Sequence, residues 1–289
     1  MKNFDYFAPK SLPEVQEILA AHSEGSFLMA GGTDLMMQMK SKVIAPKCVI
    51  DLKGLGLNYI KPMEDGLAVG AATTLHEIEA SPLIKEKCPV MAATCSEMSC
   101  YSIRHMGTLG GNLCNASPSA DTAPPLIVLG ASARISGPDG ERIVPVEDLL
   151  TAPGQTVLKK GEILIEIRIP PLPPRSGAVY LKYKRNEGMD LALVGVAVCM
   201  VMDGSGTLCQ DIRIALGAVA PAPLRASAAE TVLRGNALEE ELFEKAALKA
   251  REAAEPITDV RGSADYRAAL VQTLTRDALR QLKEAVVSG

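Results

Sequence analysis

The sequence predicts an α+β protein in which two small strand-and-helix units precede an antiparallel sheet backed by helices. In the first half, short apolar strands alternate with helices that begin at capping residues. In the second half, several strands come first and the helices follow. A proline-rich run, Pro170–Pro174, separates the halves, because each proline removes an amide donor and restricts the residue before it. A chain of 289 residues exceeds the usual size of one domain.

The first predicted unit covers residues 1–55. Ser11 and Glu14 have the spacing of a capping box, and Leu12, Val15 and Ile18 follow at helical spacing. This pattern predicts a helix of about ten residues that ends near a glycine. The other predicted elements of this unit are a strand at 27–30, a helix that begins at Thr33 or Asp34 and runs through Met39, and a strand at 48–52.

The second predicted unit covers residues 56–174 and ends in the proline run. Thr74 and Glu77 form another capping box at the start of a helix. Turn residues at 137–140 divide an alternating segment and predict a hairpin over 131–146. Residues 163–169 alternate and predict a strand with one buried face. The remaining predicted elements are a strand at 67–70 and a helix at about 90–99.

The third predicted unit covers residues 175–289. Its strands are predicted at 179–183, 191–202 and 212–216, with a turn at 203–206. Its helices are predicted at 227–233, 239–254 and 264–286.

Composition excludes several classes of protein. Apolar residues make up 47% of the chain and charged residues 22%, which is the balance of a globular protein. The net charge of −4 and the lack of a Lys/Arg run argue against a nucleic-acid partner. No apolar stretch reaches the roughly 20 residues that a membrane span requires, and the N-terminus lacks a basic-then-apolar segment. We therefore expect a cytoplasmic protein without a membrane span.

Cysteine and histidine patterns predict no metal site. The seven cysteines contain no CxxC pair, and most lie in apolar surroundings, which is typical of reduced buried thiols. Cys95, Cys100 and Cys114 match no standard ligand spacing. The three histidines are scattered and form no HExxH motif.

Two pairs of adjacent glycines are the residues that indicate a chemical function. A diphosphate needs backbone N–H donors that come within hydrogen-bond distance, and glycine has no Cβ to block that approach. Gly31 and Gly32 follow a predicted strand and precede a helix start, and Gly110 and Gly111 repeat the pattern. We predict that the two turns, 31–34 and 108–112, hold one dinucleotide from both sides. Neither turn contains Lys or Arg, so backbone dipoles and hydroxyls would meet the phosphate charge.

Short polar residues lie close to these turns. Asp34, Ser117 and Asp121 have two interpretations that the residues alone do not separate. They cap helices, or they form hydrogen bonds with cofactor hydroxyls.

The motifs around the glycines resemble a known family. The segments AGGTDL at 30–35, TLGGN at 108–112 and ASPSAD at 116–121 closely resemble the two signatures of the FAD-binding medium subunits of the molybdenum hydroxylases. The resemblance covers essentially the whole chain, including its length, its proline break and its strand-then-helix C-terminal part. It implies a vanillyl-alcohol-oxidase-type FAD-binding fold of two subdomains and a third, C-terminal domain that closes over the flavin ring.

The resemblance also implies roles for particular residues. The first signature would line the diphosphate and ribityl chain, and the second would complete this binding site. Asp121 would bind a sugar hydroxyl. The first set is Leu28, Met29, Ala30, Gly31, Gly32, Thr33, Asp34 and Leu35, and the second is Thr108, Gly110, Gly111, Asn112 and Ser117.

Two further residues would lie near the flavin ring. Leu164 falls where the family packs an aliphatic side chain on the isoalloxazine, and simple core packing is its alternative interpretation. Lys182 falls where the family has a lysine near the flavin, and a solvated strand lysine is the alternative. Lys184 or Arg185 would take that role if the register differs. Met98 could approach the ring but is left outside the predicted site.

The family resemblance implies an electron-transfer subunit. Electrons would leave a substrate at a molybdopterin-binding large subunit, cross 2Fe-2S clusters on a small subunit, and reach FAD on this chain. An external acceptor such as NAD would then be reduced. We predict no catalytic acid or base on this chain, because the flavin performs the redox chemistry. No inserted cysteine-rich segment is present, so we predict no iron-sulfur cluster here.

Two other functions remain open at this point. One is a stand-alone flavin reductase or oxidase on the same fold, which would need cationic substrate-binding residues and a proton donor in its C-terminal domain. The other is a non-redox assembly module whose glycine turns hold a dinucleotide. The flavin spectrum of the purified chain separates the second from the redox functions.

Overall fold

The first sheet of the protein is a small parallel sheet of three strands in the order β1-β3-β2. The computed structural model describes residues 2–22, 24–186 and 189–288. The Ser11 hydroxyl caps helix α1, as predicted, but the Glu14 carboxylate accepts from the N–H of Lys10. The elements are β1 (Asp5–Phe7), α1 (Leu12–Ala21), β2 (Ser26–Met29), α2 (Leu35–Lys40), β3 (Cys48–Asp51) and a 3-10 helix at Lys53–Leu55.

The second sheet has five antiparallel strands in the order β4-β5-β10-β6-β7. The predicted hairpin is present as β6 and β7, and Gly137 pairs with Gly140 at its turn. A separate two-stranded ribbon, β8 with β9, precedes the last strand of the unit. The strands are β4 (Ile60–Met63), β5 (Gly66–Gly70), β6 (Ser132–Gly137), β7 (Gly140–Pro145), β8 (Leu150–Ala152), β9 (Gln155–Thr156) and β10 (Ile163–Ile169).

Short helices fill the connection between β5 and β6. The predicted capping box is complete, since the Thr74 hydroxyl accepts from Glu77 N–H and the Glu77 carboxylate accepts from Thr74 N–H. These helices and the second sheet enclose one large apolar core. The helices are α3 (Leu75–Ala80), α4 (Pro82–Lys87), α5 (Pro89–Ser96), α6 (Tyr101–Arg104), α7 (Leu109–Cys114) and α8 (Ala123–Val128), and α9 (Val146–Leu149) follows β7.

Strand β10 differs from its prediction because both of its faces are buried. A bulge between Leu164 and Glu166 shifts the alternation of its side chains by one residue. Ile163 and Ile165 therefore pack in the core of the first unit, whereas Leu164 and Ile167 pack in the core of the second. The strand joins the two units, which a regular alternation cannot indicate.

The C-terminal part is a four-stranded antiparallel sheet, in the order β11-β12-β13-β14, covered by three helices. A separate apolar core lies between this sheet and its helices. The predicted strand at 191–202 begins later, at Val194. The elements are β11 (Ser176–Tyr183), β12 (Val194–Met202), β13 (Cys209–Gly217), β14 (Leu224–Arg225), α10 (Ser227–Leu233), α11 (Glu240–Ala253) and α12 (Ala264–Ser288).

The three sheets occupy successive parts of the chain. Their strands lie within 5–51, 60–169 and 176–225, so the predicted boundaries after residues 55 and 174 fall in the connections between sheets. Helix α8 of the middle part contacts β11, β12 and β13 of the C-terminal part. Within the described ranges, no helix combines the length and the apolar character needed to cross a membrane.

Candidate functional site

The first glycine segment, residues 31–34, connects β2 to α2. Gly32 has a φ of +75°, in the left-handed region that glycine adopts without strain. The Asp34 side chain does not cap α2. Among the residues that the structure describes, none accepts a hydrogen bond from the backbone N–H groups of residues 31–34. Four successive free amides beside a helix start form a surface that favours an anion.

Gly31 is required by the close approach of another backbone. A Cβ at position 31 would overlap the carbonyl oxygen of Met106. A Cβ at Gly32 would lie 3.3 Å from the Sδ of Met29. The first glycine segment therefore fits tightly against the chain that leads into the second one.

The second glycine segment, residues 107–112, differs from the open turn that the sequence predicts. It forms the start of α7, where the Thr108 hydroxyl accepts from the Gly111 N–H at 3.0 Å. The Leu109 N–H donates to the Thr73 carbonyl at 3.0 Å, and the Gly110 N–H donates to the Ala71 carbonyl at 2.9 Å. The Asn112 N–H donates to the Thr108 carbonyl at 2.9 Å. An anion would have to displace these acceptors to reach the amides.

The structure brings the two glycine segments together, as the sequence predicts. Beyond the contact between Gly31 and Met106, a Cβ at Gly107 would lie 3.8 Å from the Thr33 Oγ1. A Cβ at Gly111 would lie 3.9 Å from the Cβ of Ala30. The residues on either side of the first segment, Leu28 to Ala30 and Leu35, are half-buried. This arrangement leaves the free amides of residues 31–34 next to partly open apolar side chains.

A buried polar cluster, formed by Asp121, Tyr180 and Lys182, lies between the middle and C-terminal parts. The Lys182 Nζ lies 2.7 Å from Asp121 Oδ2, and the Tyr180 hydroxyl donates to Asp121 Oδ1 at 2.8 Å. The side chains of Lys182 and Asp121 are only 4% and 7% exposed. Burial raises the pKa of Tyr180 well above its ordinary value, and the charge and hydrogen bond of Asp121 add to this effect.

Lys182, Lys184 and Arg185 were the three candidates for the cation near the flavin, and of these only Lys182 has a buried side chain. Lys184 pairs with Glu97 at 3.2 Å, and the Glu97 side chain is largely exposed. Arg185 donates to the Val260 carbonyl at the surface. The alternative interpretation, a solvated strand lysine, therefore describes Lys184 better than it describes Lys182.

The other predicted site residues have protein partners. The Asn112 Oδ1 accepts from the Thr122 hydroxyl at 2.6 Å, and the Ser117 hydroxyl accepts from the Ser119 N–H at 3.3 Å. Leu164 is 4% exposed, and Met98 is also buried, both in the middle core. The contact of Leu164 with a flavin ring stays a prediction, as does that of Asp121 with a sugar hydroxyl.

Sequence reasoning missed Tyr180 and the acceptors Ala71 and Thr73. Tyr180 lies two residues before Lys182, so both side chains are on the same face of β11. The alternation of side chains along a strand could have indicated this. The acceptors lie more than 30 residues before the amides that they bind, and no local pattern marks them.

Comparisons with known proteins cover nearly the whole chain. Residues 2–172 match the family described as FAD binding domain in molybdopterin dehydrogenase. Residues 178–282 match the family described as CO dehydrogenase flavoprotein C-terminal domain.

Individual relatives agree with these matches. The carbon monoxide dehydrogenase medium chain of Afipia carboxidovorans is 35% identical, with 97% of each chain covered. A putative xanthine dehydrogenase FAD-binding subunit of Escherichia coli is 30% identical, with 98% of this chain and 96% of the relative covered. Among solved structures, reconstituted CO dehydrogenase from Oligotropha carboxidovorans superposes with a TM-score of 0.94 at 34% identity, covering 98% of both chains. Quinoline 2-oxidoreductase from Pseudomonas putida 86 gives 0.92 at 31%, covering 99% of this chain and all of the other.

Proposed function

Because this chain belongs to the FAD-binding medium subunits of the molybdenum hydroxylase family, we propose that it passes electrons between iron-sulfur clusters and an external acceptor such as NAD. The FAD, when bound, supplies the electron and hydride chemistry. The observation that supports FAD binding is the run of backbone N–H groups at residues 31–34 that have no acceptor among the described residues.

The residues of the first glycine segment fit a diphosphate. Gly31 and Gly32 present no side chain, and the amides have no acceptor among the described residues. The Thr33 hydroxyl donates to the Asp34 carboxylate at 3.4 Å and would add a further donor if it turned towards the cofactor. We propose that this segment binds the diphosphate and that Leu28, Met29, Ala30 and Leu35 line the adjoining part of the cofactor.

The second glycine segment supports the first. Its amides are bonded to Ala71, Thr73 and Thr108, so its main contribution is to fix the backbone against which Gly31 packs. Direct cofactor contacts from this segment, and from Ser117 and Asp121, require a further bond to groups that already have a partner. A carboxylate accepts several hydrogen bonds, so the sugar contact proposed for Asp121 remains compatible with its two partners.

The partners follow from the same family. Relatives are named as medium chains and as FAD-binding subunits. We propose that this chain assembles with a molybdopterin-binding large subunit and a 2Fe-2S small subunit, in the cytoplasm. Substrate chemistry would then take place on the large subunit, and this chain would need no acid or base of its own.

The visible spectrum of the purified chain tests cofactor binding. We expect the two absorption bands of oxidised flavin, either directly or after addition of FAD. A colourless chain that FAD does not reconstitute would overturn the proposal. Retention of a dinucleotide that cannot be reduced would instead favour the assembly module.

Co-purification tests the assembly. The chain is expressed with its neighbouring reading frames, and molybdenum and iron are measured in the purified complex. We expect both metals to co-purify with this chain. A yellow chain that remains alone and reduces or oxidises a substrate by itself would favour the stand-alone reductase or oxidase.

A further inference from the structure

We infer that the C-terminal domain positions the FAD site through the buried polar cluster of Asp121, Tyr180 and Lys182, and that Tyr180 is a positioning residue of that site. The inference rests on the proposed binding of FAD. Tyr180 would contact no cofactor atom in this role. It would act through Asp121 and the chain that leads from Asp121 to the glycine segments.

The first step is the connection between the two parts of the protein. Both carboxylate oxygens of Asp121, in the FAD-binding part, are bound by side chains of β11 in the C-terminal part. A charged pair with little exposure is held firmly, because separating it leaves a charge buried without a partner. Two further bonds fasten the same segment: Ala218 N–H donates to the Pro118 carbonyl at 2.8 Å, and the Ser119 hydroxyl donates to the Ala192 carbonyl at 3.4 Å.

The second step leads from Asp121 to the glycine segments. The next residue, Thr122, is fully buried and donates its hydroxyl to Asn112 at 2.6 Å. Asn112 belongs to α7, and a Cβ added at its neighbour Gly111 would lie 3.9 Å from the Cβ of Ala30. The hydrogen bonds therefore connect β11 to α7, and α7 faces the residue that precedes the first glycine segment.

The third step is the role of Tyr180 itself. Tyr180 packs against the middle core, whereas Val179 and Leu181 pack against the C-terminal core. A Cβ on Gly195 of the neighbouring strand would overlap the Tyr180 ring and hydroxyl, so the glycine makes room for this side chain. The hydroxyl then holds one oxygen of Asp121 while Lys182 holds the other. With both oxygens fixed, the carboxylate has one orientation.

Tyr180→Phe in the full chain tests the inference, because it removes one hydroxyl and little volume. Tyr183→Phe is the matched control, since Tyr183 lies on the opposite face of β11 and its hydroxyl bonds with that of Tyr266. FAD affinity is measured by quenching of flavin fluorescence on the cofactor-free chain, and the visible circular dichroism of bound FAD is recorded. We expect about tenfold weaker FAD binding for Tyr180→Phe and less than about a twofold change for the control, the scale of one lost hydrogen bond to a charged group.

A second variant displaces Tyr180 without removing a polar group. Gly195→Ala pushes against the Tyr180 ring and is expected to reproduce both the weaker FAD binding and the altered dichroism. The inference is overturned if Tyr180→Phe or Gly195→Ala lowers stability towards urea but leaves the FAD affinity and the dichroism of the wild type. A wild-type chain that binds no FAD would instead overturn the proposed function.

Discussion

In the first glycine segment, the N–H groups of residues 31–34 have no acceptor among the described residues, whereas those of residues 109–112 in the second segment are all bonded within the chain. Both segments contain adjacent glycines, but the first precedes the short helix α2, whereas the second forms the start of α7. The difference shows that adjacent glycines do not by themselves leave their amides free. In both pairs a missing Cβ admits another backbone, that of Met106 at Gly31 and that of Ala71 at Gly110, but only in the first pair do the amides have no acceptor among the described residues.

Gly31→Ala is expected to have the largest effect on this comparison. The new Cβ would overlap the Met106 carbonyl, so the two segments must separate. We expect loss of bound FAD and a fall in the free energy of unfolding of about 3 kcal/mol, at the upper end for overpacking. The ratio of flavin to protein and urea unfolding measure these two quantities.

Gly204→Ala is the matched control for Gly31→Ala, because a Cβ at this position meets nothing within 4 Å. Its free energy of unfolding should stay within about 0.5 kcal/mol of the wild type. Full flavin content and unchanged unfolding in Gly31→Ala would show that the two backbones are not in contact as described.

Gly111→Val is expected to act on the cofactor more than on the fold. Its Cβ would lie 2.8 Å from the Thr108 hydroxyl, which must shift, and 3.9 Å from the Cβ of Ala30, the residue before the first glycine segment. We expect FAD affinity to fall about a hundredfold, equivalent to about 2.7 kcal/mol, with far-ultraviolet circular dichroism retained. Titration of the cofactor-free variant with FAD measures the affinity. An unchanged dissociation constant would remove Gly111 from the site.

Gly110→Ala separates the roles of two adjacent glycines. Its Cβ would lie 2.7 Å from both the Cβ and the carbonyl oxygen of Ala71, so it presses on the supporting backbone. We expect the free energy of unfolding to fall by about 2 kcal/mol, while the folded protein keeps its flavin. Loss of FAD from Gly110→Ala at wild-type stability would contradict this separation of the roles of Gly110 and Gly111.

Thr108→Ala is expected to have the smallest effect. The change removes the hydroxyl that caps α7 and should lower the free energy of unfolding by about 1 kcal/mol. Thr108→Ser keeps the cap and should restore most of that loss. Urea unfolding of both variants checks this, and equal stability of Thr108→Ala and the wild type would show that the cap contributes nothing.

Local patterns predicted many elements of the fold. Helix α10 has the predicted bounds, the capping box at Thr74 is complete, and the predicted hairpin is present. These features depend on neighbouring residues, so the sequence displays them directly. The family resemblance, the α+β class and the FAD-binding domain are confirmed by the comparisons.

Long-range contacts could not be predicted in the same way. Helix α8 begins at Ala123 and continues through Pro124 and Pro125, which carry no periodic signal, and it was missed. The acceptors of the Leu109 and Gly110 amides are the carbonyls of Thr73 and Ala71, which are distant in sequence. The hydrogen bond of Tyr180 could not be predicted, because it depends on the tertiary fold that places Asp121 beside β11. Each of these features depends on tertiary contacts between segments that are distant in the chain, and local patterns in a single sequence do not indicate such contacts.

Strand β10 has a consequence for how the chain emerges from the ribosome. Its residues Ile163 and Ile165 complete the core around β1, β2 and β3, although more than 100 residues separate them from Asp51. The N-terminal unit must therefore wait, with apolar surface uncovered, until β10 has been synthesised. Fragments that stop before residue 163 lack this strand, so early termination would yield material prone to aggregate rather than a smaller folded protein.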